Sequence, residues 1–179
     1  LSIEVLQRLR PSAIIELTAT PADNSNVLYK VSASELKAED MIKLPIHMEE
    51  HKSWEDAVTT AVQQQHHLEE LAGYGSEPEY IRPIVLFQAE NKNRDVTVSV
   101  IRDYLVNELQ IPENQVAIAT GGQRELDGID LFDPQTPIRY IITVEALKEG
   151  WDCSFAYIFC SVAKVASSKD AEQLLGRVL

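Results

Sequence analysis

Four apolar runs in the second half of the chain have the pattern of buried parallel strands. They occupy residues 84–87, 116–119, 139–144 and 156–162. Apolar residues follow one another in these runs instead of alternating with polar ones, which is typical of strands covered on both faces of a sheet. A helical pattern beginning at Asp95 separates the first two runs. Strand, helix and strand in this order predict an α/β domain with a parallel sheet.

The first half of the chain predicts one long helix. Ser53 is a candidate N-cap, and Glu55 and Asp56 follow it as an acidic first turn. Gly73 is expected to end the helix. Its apolar and packing positions recur at helical spacing on one face: Trp54, Ala57, Val58, Ala61, Val62, Gln65, Leu68 and Leu71.

Shorter elements are predicted before this helix. Residues 13–17 form an apolar run that Pro21 terminates, so we expect a strand and a turn there. Residues 27–31 are a second expected strand, and 43–48 looks extended. Residues 34–39 predict a helical turn with Ser34 as its N-cap.

The composition describes a folded protein with an acidic surface. The hydrophobic content is 45% and the net charge is −12. This charge argues against a free-standing basic DNA-binding module. It is compatible with a protein that holds phosphates through backbone amides, hydroxyls and a few arginines.

The two cysteines and the lack of a membrane signal predict a cytoplasmic protein. Cys153 and Cys160 lie in or beside apolar runs, as buried free thiols do in a reducing compartment. No signal sequence and no membrane-spanning segment is recognisable. Because the chain lacks an initial methionine and stops within a helical pattern, we expect it to be a piece of a longer protein.

The stretch 143–179 carries the strongest candidate chemistry. It runs from a strand through a glycine-bearing loop with Asp152 to a second strand, and then to a helix with Arg177. Loops at the carboxyl ends of parallel strands line the ligand crevice. Asp152 is therefore a candidate ligand for a ribose or a metal, and Arg177 a candidate for neutralising phosphate charge.

Two further patterns each allow a functional and a structural interpretation. Residues 120–123 contain a glycine pair that permits close approach of the backbone to a phosphate, but an ordinary turn is an equal alternative. Residues 47–51 match the zinc-hydrolase pattern H-x-x-E-H. That pattern needs a helix, whereas these residues lie between elements, so we predict no metal site.

Four stretches resemble motifs of superfamily 2 helicases, in the order of that family. Residues 143–152 have the motif V pattern T-x₆-G-x-D, and 173–177 have the start of motif VI, Q-x-x-G-R. Residues 15–21 look like motif III, and 83–88 look like motif IV. The sequences of residues 31–45 and 146–153 look most similar to the restriction subunit of type III restriction enzymes.

The resemblance implies a fold and an organisation. The fold is a RecA-like parallel sheet flanked by helices, with an N-terminal linker segment and one long helix. Residues 1–22 would be the tail of a first motor domain, 23–78 a linker that includes the long helix, and 79–179 the second RecA-like domain. The whole protein would be an ATP-dependent DNA helicase or translocase, part of a type III restriction endonuclease.

The resemblance also assigns roles to individual residues. Thr18 and Thr20 would couple the two motor domains. Thr120, Gly121 and Thr143 would contact the DNA backbone. Arg177 would be the arginine finger that neutralises charge on the transferring phosphoryl group. The implied ATP-binding residues are Gly150, Asp152, Gln173, Gly176 and Arg177.

The implied cofactors and partners belong to the intact protein. ATP and Mg²⁺ would bind there, but not to this chain alone, because it has neither a phosphate loop nor an acidic magnesium-binding box. DNA, the first motor domain and a modification methyltransferase subunit would be its partners. One alternative is a RecA-like protein-interaction domain without catalysis in a restriction or defence complex. Another is a different nucleotide hydrolase that uses Asp152 or Cys153 directly.

Overall fold

The computed structural model describes residues 8, 10–18, 21, 25–39, 46–73, 80–144 and 153–162. Its centre is a sheet of four parallel strands: β1 Ile84–Gln88, β2 Val116–Ile118, β3 Tyr140–Thr143 and β4 Ala156–Ser161. In the sheet they lie in the order β2-β3-β1-β4. The predicted α/β class and RecA-like parallel sheet are confirmed.

Helices flank this sheet. Helix α1 is Ala33–Ala38, α2 is Trp54–Gly73, and α3 is Val98–Asp103, which continues as a π-helix over Tyr104–Glu108. A short 3₁₀ turn, Glu113–Gln115, leads into β2. Helix α2 begins and ends where its pattern predicts: the Asp56 amide donates to Ser53 Oγ at 3.1 Å, and Gly73 is the last helical residue.

The two faces of the sheet form two hydrophobic clusters. On the first face, α2 and α3 pack over alternate residues of β1 and β3, such as Val85, Phe87 and Ile142. On the second face, Ile84, Leu86 and Ile141 pack with partly buried residues of the connection between β2 and β3. Strands covered on both sides explain the continuous apolar runs. Helix α2 thus shares one core with the sheet.

Helix α2 runs antiparallel to the strands. Near its start, Trp54 and Thr59 contact Tyr104 of the helix between β1 and β2. Near its end, Gln65 Nε2 donates to the Pro83 carbonyl just before β1, at 3.2 Å. The start of α2 therefore faces the carboxyl ends of the strands, and its end faces their amino ends.

The two strands predicted before α1 are wrong. Residues 13–17 and 27–31 have no strand partner in the described part of the chain. Ile15 is 80% exposed and Leu17 is 97% exposed. An apolar run becomes a buried strand only when a neighbouring strand and a covering layer accept it, and the described residues supply neither.

Two helix starts also differ from the predictions. Ser32, not Ser34, caps α1: its Oγ accepts from the Glu35 amide, and the Glu35 carboxylate accepts from the Ser32 amide at 2.7 Å. This reciprocal capping box fixes the start two residues earlier. Helix α3 has Thr97 as its N-cap instead of starting at Asp95.

The prediction of buried thiols is confirmed, because Cys153 and Cys160 are both buried and are not joined in a disulfide. They belong to opposite faces of the sheet, Cys160 to the first and Cys153 to the second. In the part of the chain that the structure describes, no helix is long and apolar enough to cross a bilayer.

Candidate functional site at the carboxyl edge of the sheet

All four strands point the same way, so their carboxyl ends lie along one edge of the sheet. Gln88 ends β1, Ile118 ends β2, Thr143 ends β3 and Ser161 ends β4. In open α/β sheets ligands bind outside this edge. The loops that follow these four residues are therefore candidates to line a ligand site.

The ends of β1 and β4 are joined by side chains as well as by the backbone. Ser161 Oγ donates to Gln88 Oε1 at 3.0 Å, and the Val162 amide donates to the Gln88 carbonyl at 3.0 Å. This pair was not predicted from the sequence. The available signal was a polar residue at or just after the end of each of two apolar runs that become neighbouring strands.

Thr143, a predicted DNA contact, lies at the middle of this edge but inside it. It is opposite Gln88 in the strand register, and its carbonyl accepts from the Ala89 amide at 2.7 Å. The residue is 2% exposed. A phosphate could reach its hydroxyl only after neighbouring groups have moved.

Residues 120–123, the β2 loop, form a tight turn beyond the end of β2. The Thr120 amide donates to the Gln123 carbonyl at 2.7 Å, and the Gln123 amide donates to Thr120 Oγ1 at 3.0 Å. Thr120 is half-buried and Gly121 is exposed. These two bonds make the loop an ordinary turn. Because the Thr120 hydroxyl only accepts in them, its proton can still be donated to a ligand.

Gly121 and Gly122 in this loop are not required by the turn itself. A Cβ built on Gly121 would meet nothing within 4 Å. Of the described glycines, Gly128 is the one with a positive φ, at 81°. If Gly121 has a specific role, that role must involve a molecule approaching from outside.

Residues 90–96, the β1 loop, form a closed loop at the end of β1. The Glu90 amide donates to the Val96 carbonyl at 2.8 Å, and the Val96 amide donates back to Glu90 Oε2 at 3.1 Å. This closure leaves Lys92 and Arg94 exposed at the edge.

These two side chains differ from three other arginines of the described sheet domain. Arg102, Arg124 and Arg139 each pair with a carboxylate: Glu113, Asp127 and Glu69 respectively. Lys92 and Arg94 pair with no carboxylate among the described residues. In a protein with a net charge of −12, two exposed cations at this edge are candidates for binding an anion, and the sequence alone did not predict them.

Of the remaining predicted site residues, the structure describes only Thr18. Thr18 is exposed in the segment 10–18, which does not pair with the sheet. The other assigned residues lie outside the described part of the chain: Thr20, Gly150, Asp152, Gln173, Gly176 and Arg177. Their roles therefore remain predictions.

The zinc-hydrolase pattern at 47–51 forms a small cluster of side chains without a helix. Glu49 lies between the two imidazoles, with Oε1 2.9 Å from His47 Nε2 and Oε2 3.5 Å from His51 Nε2. Within the described ranges, no group of three His, Cys, Asp or Glu side chains could hold a metal ion.

At the opposite, amino edge of the sheet, the buried polar side chains of Tyr140 and Gln65 are linked to each other. The Tyr140 hydroxyl donates to Gln65 Oε1 at 2.9 Å and lies 3.2 Å from His66 Nε2. Because its one proton goes to Gln65, a hydrogen bond with His66 requires the tautomer protonated at Nε2. Burial, assisted by the Glu69 carboxylate, raises the pKa of Tyr140 above its usual value of 10.0.

Arg82 at the same edge is 1% exposed, and no carboxylate in the described residues pairs with it. Its guanidinium donates to the carbonyls of Leu131, Asp133 and Thr136. Its Nε is buried without a hydrogen-bond partner in the described part of the chain. The side chain thus fixes the connection between β2 and β3 to the start of β1.

Comparisons with known proteins add no identity to this geometry. No protein-family model, no curated protein and no solved structure gives a significant match to the chain.

Proposed function

We propose that this chain is the second RecA-like motor domain of an ATP-dependent DNA helicase or translocase, similar to the restriction subunit of type III restriction enzymes. The observation that carries the proposal is the position of the helicase-like motifs on the parallel sheet. The motif IV strand is β1, the motif V threonine ends the adjacent strand β3, and the β2 loop follows the next strand. The motif IV strand, the motif V threonine and the β2 loop lie far apart in the sequence but meet at the carboxyl edge of the sheet.

The proposed ligand of this edge is the phosphate backbone of DNA. Lys92 and Arg94 supply unpaired positive charge, and the Thr120 hydroxyl and the backbone around Gly121 supply donors. Such contacts position a strand without reading its sequence. ATP would bind to the motif V and VI residues, and Arg177 would neutralise charge on the γ-phosphoryl group.

Fluorescence anisotropy of a fluorescein-labelled single-stranded oligonucleotide tests the DNA contact. The double variant Lys92→Ala/Arg94→Ala should weaken binding. The slope of the logarithm of the binding constant against the logarithm of the salt concentration should become shallower by roughly one to two units, because two phosphates lose their cations. Lys30→Ala is the matched control, since Lys30 is an exposed lysine before α1. Equal binding by the double variant and the control would contradict the proposed DNA edge.

ATP turnover by this chain is a second test. We expect none, since the phosphate loop and the magnesium-binding acids are absent from its sequence. Appreciable hydrolysis that survives Arg177→Ala would contradict the proposed division of the ATP site.

The net charge of −12 and the burial of Thr143 favour a second candidate, a RecA-like domain that binds protein and not DNA. This candidate predicts that the oligonucleotide stays unbound at low salt, where electrostatic attraction to phosphate is strongest.

A further inference from the structure

The connection between β2 and β3 carries an acidic and aromatic surface that the motor proposal does not use. Its residues 125–137, the acidic loop, contain four carboxylates and no lysine or arginine. Phe132 in this loop is 50% exposed. Partly buried leucines of the loop pack on the second face of the sheet, so the loop has a fixed base.

Phe132 belongs to a row of three aromatic rings. Its ring centroid lies 5.1 Å from that of Phe155, and Phe155 lies 6.0 Å from Tyr80, both in edge-to-face geometry. Tyr80 is also exposed. Single exposed apolar side chains are normal on protein surfaces, whereas adjoining aromatic rings are typical of the centres of interfaces.

Two carboxylates lie beside the aromatic row, fixed by the backbone. Asp130 Oδ1 accepts from the Phe132 amide at 2.8 Å, and Asp133 Oδ1 accepts from the Gln135 amide at 2.8 Å. Neither pairs with a lysine or arginine in the described residues, whereas Asp127 pairs with Arg124 at 3.4 Å. Both carboxylates are therefore held in place without a salt bridge to a described residue.

The buried Arg82 holds the backbone of this surface in one arrangement. Its guanidinium binds the carbonyls of Leu131 and Asp133, on either side of Phe132, and lies 5.9 Å from the centre of the Phe155 ring. A surface that is ordered before binding loses less conformational entropy when a partner docks. The geometry is thus suited to recognition and not only to connecting two strands.

We propose that the aromatic row with Asp130 and Asp133 binds an arginine-bearing segment of a partner protein. A guanidinium stacks on an aromatic ring through its plane while its N–H groups donate to carboxylates. Lysine has no such plane and is held less tightly in this environment. The fixed negative charges repel nucleic acid, so the partner is a protein. The inference does not depend on the proposed motor function.

The test is an NMR titration of the 179-residue chain with the acetylated and amidated pentapeptide Gly-Arg-Leu-Arg-Gly. We expect amide shifts confined to residues 130–135 and 155, with a Kd of about 1 mM, as is usual for so small a contact. The same peptide with lysine in place of each arginine should bind at least about threefold more weakly.

Two variants separate recognition from general attraction. Asp130→Asn/Asp133→Asn keeps an oxygen to accept each backbone amide but removes both charges, and Phe132→Ala removes the exposed ring. Each should weaken peptide binding at least about fivefold. Asp103→Asn, which removes an exposed carboxylate from α3, should leave binding unchanged.

Several outcomes would overturn the inference. These are no shifts at the peptide's solubility limit, shifts spread over the acidic surface, or equal affinity for the lysine peptide. Unchanged binding by the double asparagine variant would also overturn it. So would shifts of residues 130–135 when a single-stranded oligonucleotide replaces the peptide, because the ligand would then be nucleic acid.

Discussion

The polar groups are buried at one edge of the sheet and exposed at the other. At the amino edge Arg82, Gln65 and Tyr140 are fully buried, and most of their polar atoms are bonded to protein atoms. At the carboxyl edge Lys92, Arg94 and Gly121 are exposed and leave their charges or amides to solvent. Buried and connected polar groups stabilise one conformation, whereas exposed ones can exchange water for a ligand. Substitutions at the first edge should therefore change stability, and those at the second should change binding.

The largest expected effect on stability is that of Arg82→Met. Methionine fills similar space but leaves the carbonyls of Leu131, Asp133 and Thr136 without their buried donor. We expect a loss of about 3 kcal/mol or more in the free energy of unfolding. Urea unfolding followed by circular dichroism measures it, with Arg102→Met as the control at an exposed arginine. A loss below about 1 kcal/mol for Arg82→Met would show that the amino edge does not hold the acidic loop.

A smaller loss is expected from Tyr140→Phe. The substitution removes the donor to Gln65 Oε1, which then stays buried without a partner. The free energy of unfolding should fall by about 1–2 kcal/mol in the same urea experiment. Tyr29→Phe is the matched control, because that ring is exposed. A similar cost for both variants would mean that the buried network adds nothing to stability.

Alkaline pH should weaken the fold through two buried groups. Burial raises the pKa of Cys160 from 9.0 to about 12, and it raises the pKa of Tyr140 above 10.0. A raised folded-state pKa means that stability is fully present below the unfolded pKa and is lost as pH rises above it. The loss should begin near pH 9 for Cys160 and near pH 10 for Tyr140.

Unfolding midpoints measured from pH 7 to pH 11 check this expectation. The decline should be shallower for Cys160→Ala and for Tyr140→Phe than for the unmodified chain, whatever the cost of each substitution at pH 7. Parallel declines in all three proteins would assign the alkaline loss to other groups.

The smallest effect on stability is expected at the carboxyl edge, for Gly121→Ala. The added Cβ meets no atom within 4 Å, so the free energy of unfolding should change by less than about 0.5 kcal/mol. DNA binding should nevertheless weaken, because the methyl group would hold a phosphate away from the backbone. Gly128→Ala is the contrasting variant, since its φ of 81° makes alanine strained there. Unchanged DNA affinity in Gly121→Ala would remove the β2 loop from the proposed site.

The sequence predicted the sheet well because each strand is covered on both faces. Continuous apolar runs such as 84–87 are typical of strands buried on both faces, and a helix between two such runs implies that the strands are parallel. The strand predictions for residues 13–17 and 27–31 were wrong because an apolar run does not show by itself whether a neighbouring strand exists. That depends on the tertiary structure.

The site was only partly predictable. The position of the β2 loop and Thr143 at the ends of strands was predicted, because the apolar runs before them end there. Arg82 was not, since its partners lie about fifty residues further along the chain. Lys92 and Arg94 were missed because only the structure separates them from the arginines that pair with carboxylates.

DNA-stimulated ATP hydrolysis by the product of the complete gene tests the central claim most directly. The proposal predicts hydrolysis that rises with added DNA and falls by about 10³-fold or more in Arg177→Ala, as for other arginine fingers. Arg102→Ala should retain the rate, since it removes only a surface arginine paired with Glu113. Hydrolysis that ignores DNA, or that Arg177→Ala leaves unchanged, would contradict the assignment of this chain to a DNA motor.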